Sequence, residues 1–195
     1  MTIATTSQTK LLRQVVSDLD RHEGFREFAY PDPLSSLMKT HPSKDWGFKP
    51  AREILARIGV SPEQAAKLGA PFTVGFGFTH GVTLDSRMNR ITAERRLEQE
   101  ILDVDRALSN VLTWYKDASF VTKTVLLNMA FNMGVKGLLG FRNTLTFISQ
   151  KNYEQAARNM AQSLWARQVG KRATELMERM RTQTIPATLQ PKCLS

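Results

Sequence analysis

Apolar residues at helical spacing open the chain. Leu11, Leu12, Val15, Val16 and Leu19 recur on one helix face, which predicts a helix over 9–22 running up to Arg21-His-Glu-Gly24. Gly24 supplies its end. From Phe25 to Leu37 the period is lost, two prolines flank Asp32, and the stretch reads as irregular chain. Two short helices are predicted within 50–69. Pro50 opens the first, and Ser61-Pro-Glu-Gln opens the second as an N-cap with proline at the first helical position. Phe72-Thr-Val-Gly-Phe-Gly-Phe78, with Gly81 after it, is the one stretch with strand character. From Thr92, an N-cap type, the helical period returns over 92–112, 118–133, 141–149, 153–163 and 171–180, with Gly134, Gly137 and Gly140 as breaks. The tail beyond Thr182, with Pro186 and Pro191, has no period and is expected to be loose.

One helix, then strand material, then a long helical remainder predicts an α+β fold, mostly helical and two-lobed, with a cleft between the lobes. The expected layout is a single domain over 1–182, with the tail 183–195 outside it. Helix 9–23 and a small β-containing lobe reaching residue 91, with a helical insertion over 33–72, precede a helical C-terminal lobe over 92–182. A chain of 195 residues buries a sufficient core without staples. The lone Cys193 can form no intramolecular disulfide.

Charge adds a constraint on partners. With 27 Lys and Arg against 18 Asp and Glu, the net charge of +9 draws the protein toward polyanions: nucleic acid, membrane surfaces or anionic envelope polymers. Arg158, Arg167, Lys171 and Arg179 place part of that charge in the C-terminal region. His22, His41 and His80 lack ligand spacing, so neither metal nor cofactor is expected. No segment has the apolar core of a signal peptide or the run of about 18 apolar residues of a membrane span. Accumulation in the cytoplasm is therefore expected, with a separate agent needed to release the protein to any target outside the membrane.

Two carboxylates stand out chemically. Glu23 follows His22 at the end of the first helix, and Asp32 lies nine residues on between Pro31 and Pro33, in a loop able to bring it back across from Glu23. Glycoside hydrolysis needs such a pair in unlike environments. Position alone favours an exposed helix-terminal Glu and a turn Asp.

His22-Glu-Gly-Phe-Arg-Glu-Phe-Ala-Tyr-Pro-Asp32 resembles the Glu-Gly … Tyr-x-Asp signature of the phage-type lysozymes, and Thr73-Val-Gly-Phe-Gly77 resembles their Thr-x-Gly-x-Gly motif. Asn128-Met-Ala-Phe-Asn-Met-Gly134, Gly140-Phe-Arg-Asn-Thr-Leu145, Ala156-Ala, Ser163-Leu-Trp165 and Arg172-Ala are similar to the family's C-terminal lobe. In order, the matches span roughly residues 11 to 182. The resemblance implies a monomeric muramidase acting on peptidoglycan, with Glu23 as proton donor, Asp32 stabilising the oxocarbenium charge and activating water, and Thr73 holding that water. It also implies that Arg172 supports Glu23 and that Phe131, Asn132, Phe141, Asn143 and Thr144 line a saccharide groove. For Phe131 and Phe141 core packing is an equal alternative, and Trp165 reads as core. The sequence departs from the family in the long stretch 33–72 between Asp32 and Thr73, and in Phe78 standing where the family has histidine.

The implied use is that of an endolysin in host lysis, held in the host cytoplasm until a holin releases it. A virion-associated or bacteriocin lysozyme is the nearest alternative. From another class, a basic helical nucleic-acid binder fits +9 and Lys171-Arg172, but the chain carries no recognised DNA-reading module, so no specific nucleic acid is expected.

Overall fold

Leu11, Val15 and Leu19 are buried along one face of α1 (Thr6–Glu23), as the apolar period requires. Gly24 follows at φ 68°, a left-handed conformation that ends a helix cheaply only at glycine. The computed structural model describes residues 6–191; Cys193 lies outside the described residues. After α1 come β1 (Arg26–Pro31), α2 (Ser36–Thr40), α3 (Ala51–Ile58), α4 (Pro62–Gly69), β2 (Phe72–Gly75), α5 (Arg90–Val111), α6 (Phe120–Leu139), α7 (Arg142–Ser149), α8 (Tyr153–Ala161), α9 (Leu164–Val169) and α10 (Lys171–Thr182). They fall into two compact units, Met1–His22 with Glu98–Ser195, and Glu23–Leu97.

Within Glu23–Leu97, the start of the stretch expected to be irregular is the strand β1. It pairs antiparallel with β2 in the register Arg26↔Gly75, Tyr30↔Thr73 and Pro31↔Phe72, with an irregularity between Arg26 and Tyr30. Long-range bonds make it a strand: Ala29 N donates to Ser86 O at 2.9 Å, Met88 N to Glu27 O at 2.9 Å, and Phe28 N to Gly47 O at 3.0 Å. Pro31 closes the strand, where its missing N–H costs least.

The two helices expected within 50–69 are α3 and α4. Ser61 and Gln64 form a reciprocal capping box with Pro62 in the first turn. The insertion supplies the core of this unit. Leu37, Trp46, Ile54, Leu55 and Ala65 cluster with Phe72 and Leu84, and Tyr30 packs against them. The helix expected to start after Thr92 starts earlier, because the Asn89 side chain accepts from Thr92 N at 2.8 Å and caps α5.

In the other unit, α6 runs past the expected break at 133, but Gly134 sits at φ 77°, ψ 159°, outside helical space. Ser163 caps the unforeseen α9, which ends at Gly170. Along α6, Leu126, Leu127, Met129 and Ala130 are enclosed, as are Ala173, Leu176 and Met180 of α10. Among the described residues no single helix is long and apolar enough to cross a membrane. In the described part of the tail, Ser119 Oγ and Thr122 Oγ1 donate to Gln183 Oε1 at 2.5 and 3.1 Å, and Gln14 Nε2 donates to Leu189 O at 2.9 Å.

Candidate active site

Glu23 is the last residue of α1, half-buried, and the turn at Gly24 leads straight into β1. Four residues along that strand, Tyr30 faces Thr73 across the sheet. Thr73 is buried, 8% exposed. Burial pushes the Tyr30 phenol above its ordinary value; nearby Arg26 pulls it down, the Glu23 carboxylate pushes it up, and the neighbouring Thr73 side chain pulls it down. Glu23, Arg26, Tyr30 and Thr73 therefore lie within electrostatic reach of one phenol. Tyr30 is absent from the sequence-based site, because finding it requires knowing that Arg26–Pro31 is a strand opposite Thr73.

Asp32 follows at the end of β1. Its N–H donates to Gly69 O and Pro71 O, both at 3.1 Å, its carbonyl accepts from Ser35 N at 2.9 Å, and Oδ1 accepts from Leu34 N at 2.6 Å. This is the turn chemistry expected of Pro-Asp-Pro. It occupies one carboxylate oxygen, while Oδ2 takes no hydrogen bond from the described residues.

The remaining candidates lie in the other unit. Phe131 is half-buried, and exposed Asn132 accepts from Trp165 Nε1 through Oδ1 at 2.9 Å. Phe141 meets the buried Trp165 ring edge-on, with centroids 6.2 Å apart. Asn143 is exposed. Thr144 is fully buried, its hydroxyl donating to Asn159 Oδ1 at 2.7 Å, so it orients Asn159 and presents no donor of its own. Phe141, Arg142, Asn143, Asn159, Gln162 and Ser163 line an open groove of about 470 Å³. Asn159 and Gln162 went unnoticed in the sequence because nothing in an isolated α8 marks which polar residues reach that groove.

Arg172, in the first turn of α10, is buried, so it is not one more solvated surface charge. Its Nε donates to Asn128 Oδ1 at 2.8 Å and Nη2 to Asn128 O at 3.1 Å. The Asn128 amide nitrogen lies 3.3 Å from His22 Nδ1. His22, Asn128 and Arg172 thus form a hydrogen-bonded chain that begins one residue before Glu23. Arg179, expected on an exposed basic face, is instead 1% exposed and ion-paired to fully buried Asp18.

Glu175 joins these groups. Arg21 Nη1 lies 2.5 Å and Arg179 Nη2 2.7 Å from its carboxylate, with His22 Nε2 at 3.6 Å. Burial alone would raise this carboxyl, but the bonds from His22 and Arg21 and the charges of Arg179 and Arg21 outweigh it and hold it at about 2. A depressed carboxyl contributes stability that is full above its ordinary value of 4.5 and is lost as pH falls toward about 2. Urea unfolding between pH 5 and 2 is expected to show a steeper loss of stability for the native chain than for Glu175→Gln. Parallel pH curves would refute this account of Glu175.

Comparison with known proteins bears on the whole arrangement. The chain is 28% identical over 115 residues to probable T4-type lysozyme 1 of Dictyostelium discoideum, covering 55% of this chain and 68% of that protein. To probable T4-type lysozyme 2 of the same organism it is 30% identical over 77 residues, covering 40% of this chain and 45% of that protein. The family model for phage lysozyme matches residues 58–183, a span that holds Thr73, the groove residues and Arg172, while Glu23 and Asp32 precede it. That match covers more than half of the sequence, on a mostly helical α+β fold with one small antiparallel sheet, and so the chain belongs to the phage lysozyme family.

Proposed function

We propose that this lysozyme-type peptidoglycan hydrolase is a muramidase, cutting the bond between N-acetylmuramic acid and N-acetylglucosamine with Glu23 as general acid. The observation that carries the reading is the grouping of Glu23 with Tyr30 and its cross-strand partner Thr73, where α1 leads into the sheet. Glu23 gives its proton to the glycosidic oxygen as the C1–O bond breaks. The charge that develops on the ring faces Asp32, whose Oδ2 remains available to take a proton from attacking water. Thr73, opposite Tyr30 on the neighbouring strand, holds that water. The Tyr30 phenol, pushed further up by burial, is neutral near pH 7 and adds no second negative charge beside Glu23. Arg172 is the positioning base, its own fork fixed by Asn128.

In this reading the exposed amides of the groove beside Phe141 bind sugar hydroxyl and N-acetyl groups. The net charge of +9 assists approach to anionic envelope polymers. The biological setting is that of an endolysin, held in a host cytoplasm and released to the wall at lysis. Mass analysis of digested peptidoglycan tests the bond assignment. Reducing-end muramic acid is the expected product. Reducing-end glucosamine or anhydro-muramic acid would replace the muramidase with a glucosaminidase or a transglycosylase.

A further inference from the structure

The insertion does more than fill a core, because it also presents a ring beside the candidate active site. Phe48 is 57% exposed. It is held in place: Phe48 N and Lys49 N both donate to Asp45 O, at 2.9 and 3.0 Å, and Asp45 is ion-paired to Arg57 at 2.7 Å. Gly47 O accepts from Phe28 N of β1, tying the loop to the sheet.

Arg26, the first residue of β1, places its guanidinium over that ring, with the guanidinium carbon 4.1 Å from the ring centroid. The fit depends on Gly47. It sits at φ 83°, and a Cβ there would come within 2.6 Å of the Arg26 stem. A guanidinium stacked on an aromatic face keeps its N–H edge outward, in the fork geometry that matches a carboxylate. Arg26 uses one donor on Phe25 O, at 3.2 Å, and no other acceptor among the described residues takes its remaining N–H groups. The same guanidinium is close enough to Tyr30 to act on its phenol, which puts the fork beside the Glu23–Tyr30–Thr73 group.

We propose that Arg26, pinned on Phe48 by the insertion, recognises a carboxylate of the peptidoglycan stem peptide and makes this enzyme select anionic, peptide-bearing substrate. The inference rests on the hydrolase reading above. It gives the insertion a role in specificity that the glycan chemistry itself does not need.

The test compares soluble peptidoglycan fragments with the same fragments after carbodiimide coupling has converted their carboxylates to amides. For the native chain, KM is expected to be about tenfold lower on the untreated fragments, the scale of a charge-assisted hydrogen bond. In Arg26→Gln that preference should collapse to less than threefold, through a raised KM on untreated fragments. Phe48→Leu should move the same way, and Arg26→Lys should restore only part of the preference, having charge without the fork.

An undiminished preference in Arg26→Gln would overturn the proposal, as would equal loss of kcat on both substrates, which marks Arg26 as a mere clamp for Gly47. Should the native chain cut neither substrate, the hydrolase reading itself falls. Cutting of both with no preference removes only the role of Arg26.

Discussion

Glu23→Gln is expected to abolish clearing of outer-membrane-permeabilised Gram-negative cells, lowering kcat by about 10²- to 10⁴-fold, the range of a positioned general acid. Glutamine keeps the volume and much of the hydrogen-bonding capacity of Glu23 while removing the transferable proton, so unfolding midpoints should stay near those of the native chain. A second readout is independent of catalysis. The Glu23 carboxylate is among the groups that raise the Tyr30 phenol, and removing its charge should bring Tyr30 ionisation to lower pH in an ultraviolet titration. Residual activity within tenfold of native would take the acid role from Glu23. Lost activity with an unmoved tyrosine would show that Glu23 acts from somewhere other than beside Tyr30. Salt-sensitive DNA retention without clearing would instead favour the nucleic-acid binder suggested by the charge alone.

What could be seen in the bare sequence follows the range over which each element is determined. Local signals were sufficient for α1, where five apolar residues share one face, and for α4, whose start is spelled out by Ser61, Pro62 and Gln64. They failed at β1. Arg26-Glu-Phe-Ala-Tyr-Pro31 does not alternate cleanly, and it is a strand because Gly47, Thr73 and Ser86 come from far along the chain to bond it. The same reason hid Tyr30, whose relation to Thr73 exists only across that sheet. Charge misled in a different way. Arg172 and Arg179 count toward the net +9 as any surface base does, yet both are buried, and only their partners Asn128, Asp18 and Glu175 reveal it. Thr144 matched the family position for groove contact, but a short polar side chain on α7 can as easily turn inward, and here it holds Asn159.

Arg179→Met is expected to be the most damaging substitution to stability, costing about 3 kcal/mol or more, the lower end for breaking a buried ion pair from one side. Arg179 and Asp18 meet through two parallel bonds, Nη1–Oδ2 at 2.6 Å and Nη2–Oδ1 at 2.9 Å, with side-chain exposures of 1% and 0%. Removing the guanidinium strands a fully buried carboxylate. Its remaining partners would be Gln14 at 3.0 Å and Arg21 at 2.8 Å, and Arg21 is itself 36% exposed and shared with Glu175. Desolvation of Asp18, with its strongest partner gone, sets the size of the loss. The native pair need not be a net stabiliser, since two charges taken from water recover that cost only with good geometry, and Arg179 Nε finds no acceptor among the described residues. The double variant Asp18→Leu, Arg179→Met should therefore be more stable than Arg179→Met alone, because it leaves no buried charge unpaired. Urea unfolding of the native chain, both single variants and the double variant gives the coupling directly. A loss below about 1 kcal/mol in Arg179→Met, the range of an exposed pair, would mean that water reaches Asp18. The effect should carry into activity as well, since this pair holds α10 against the helix that ends in Glu23.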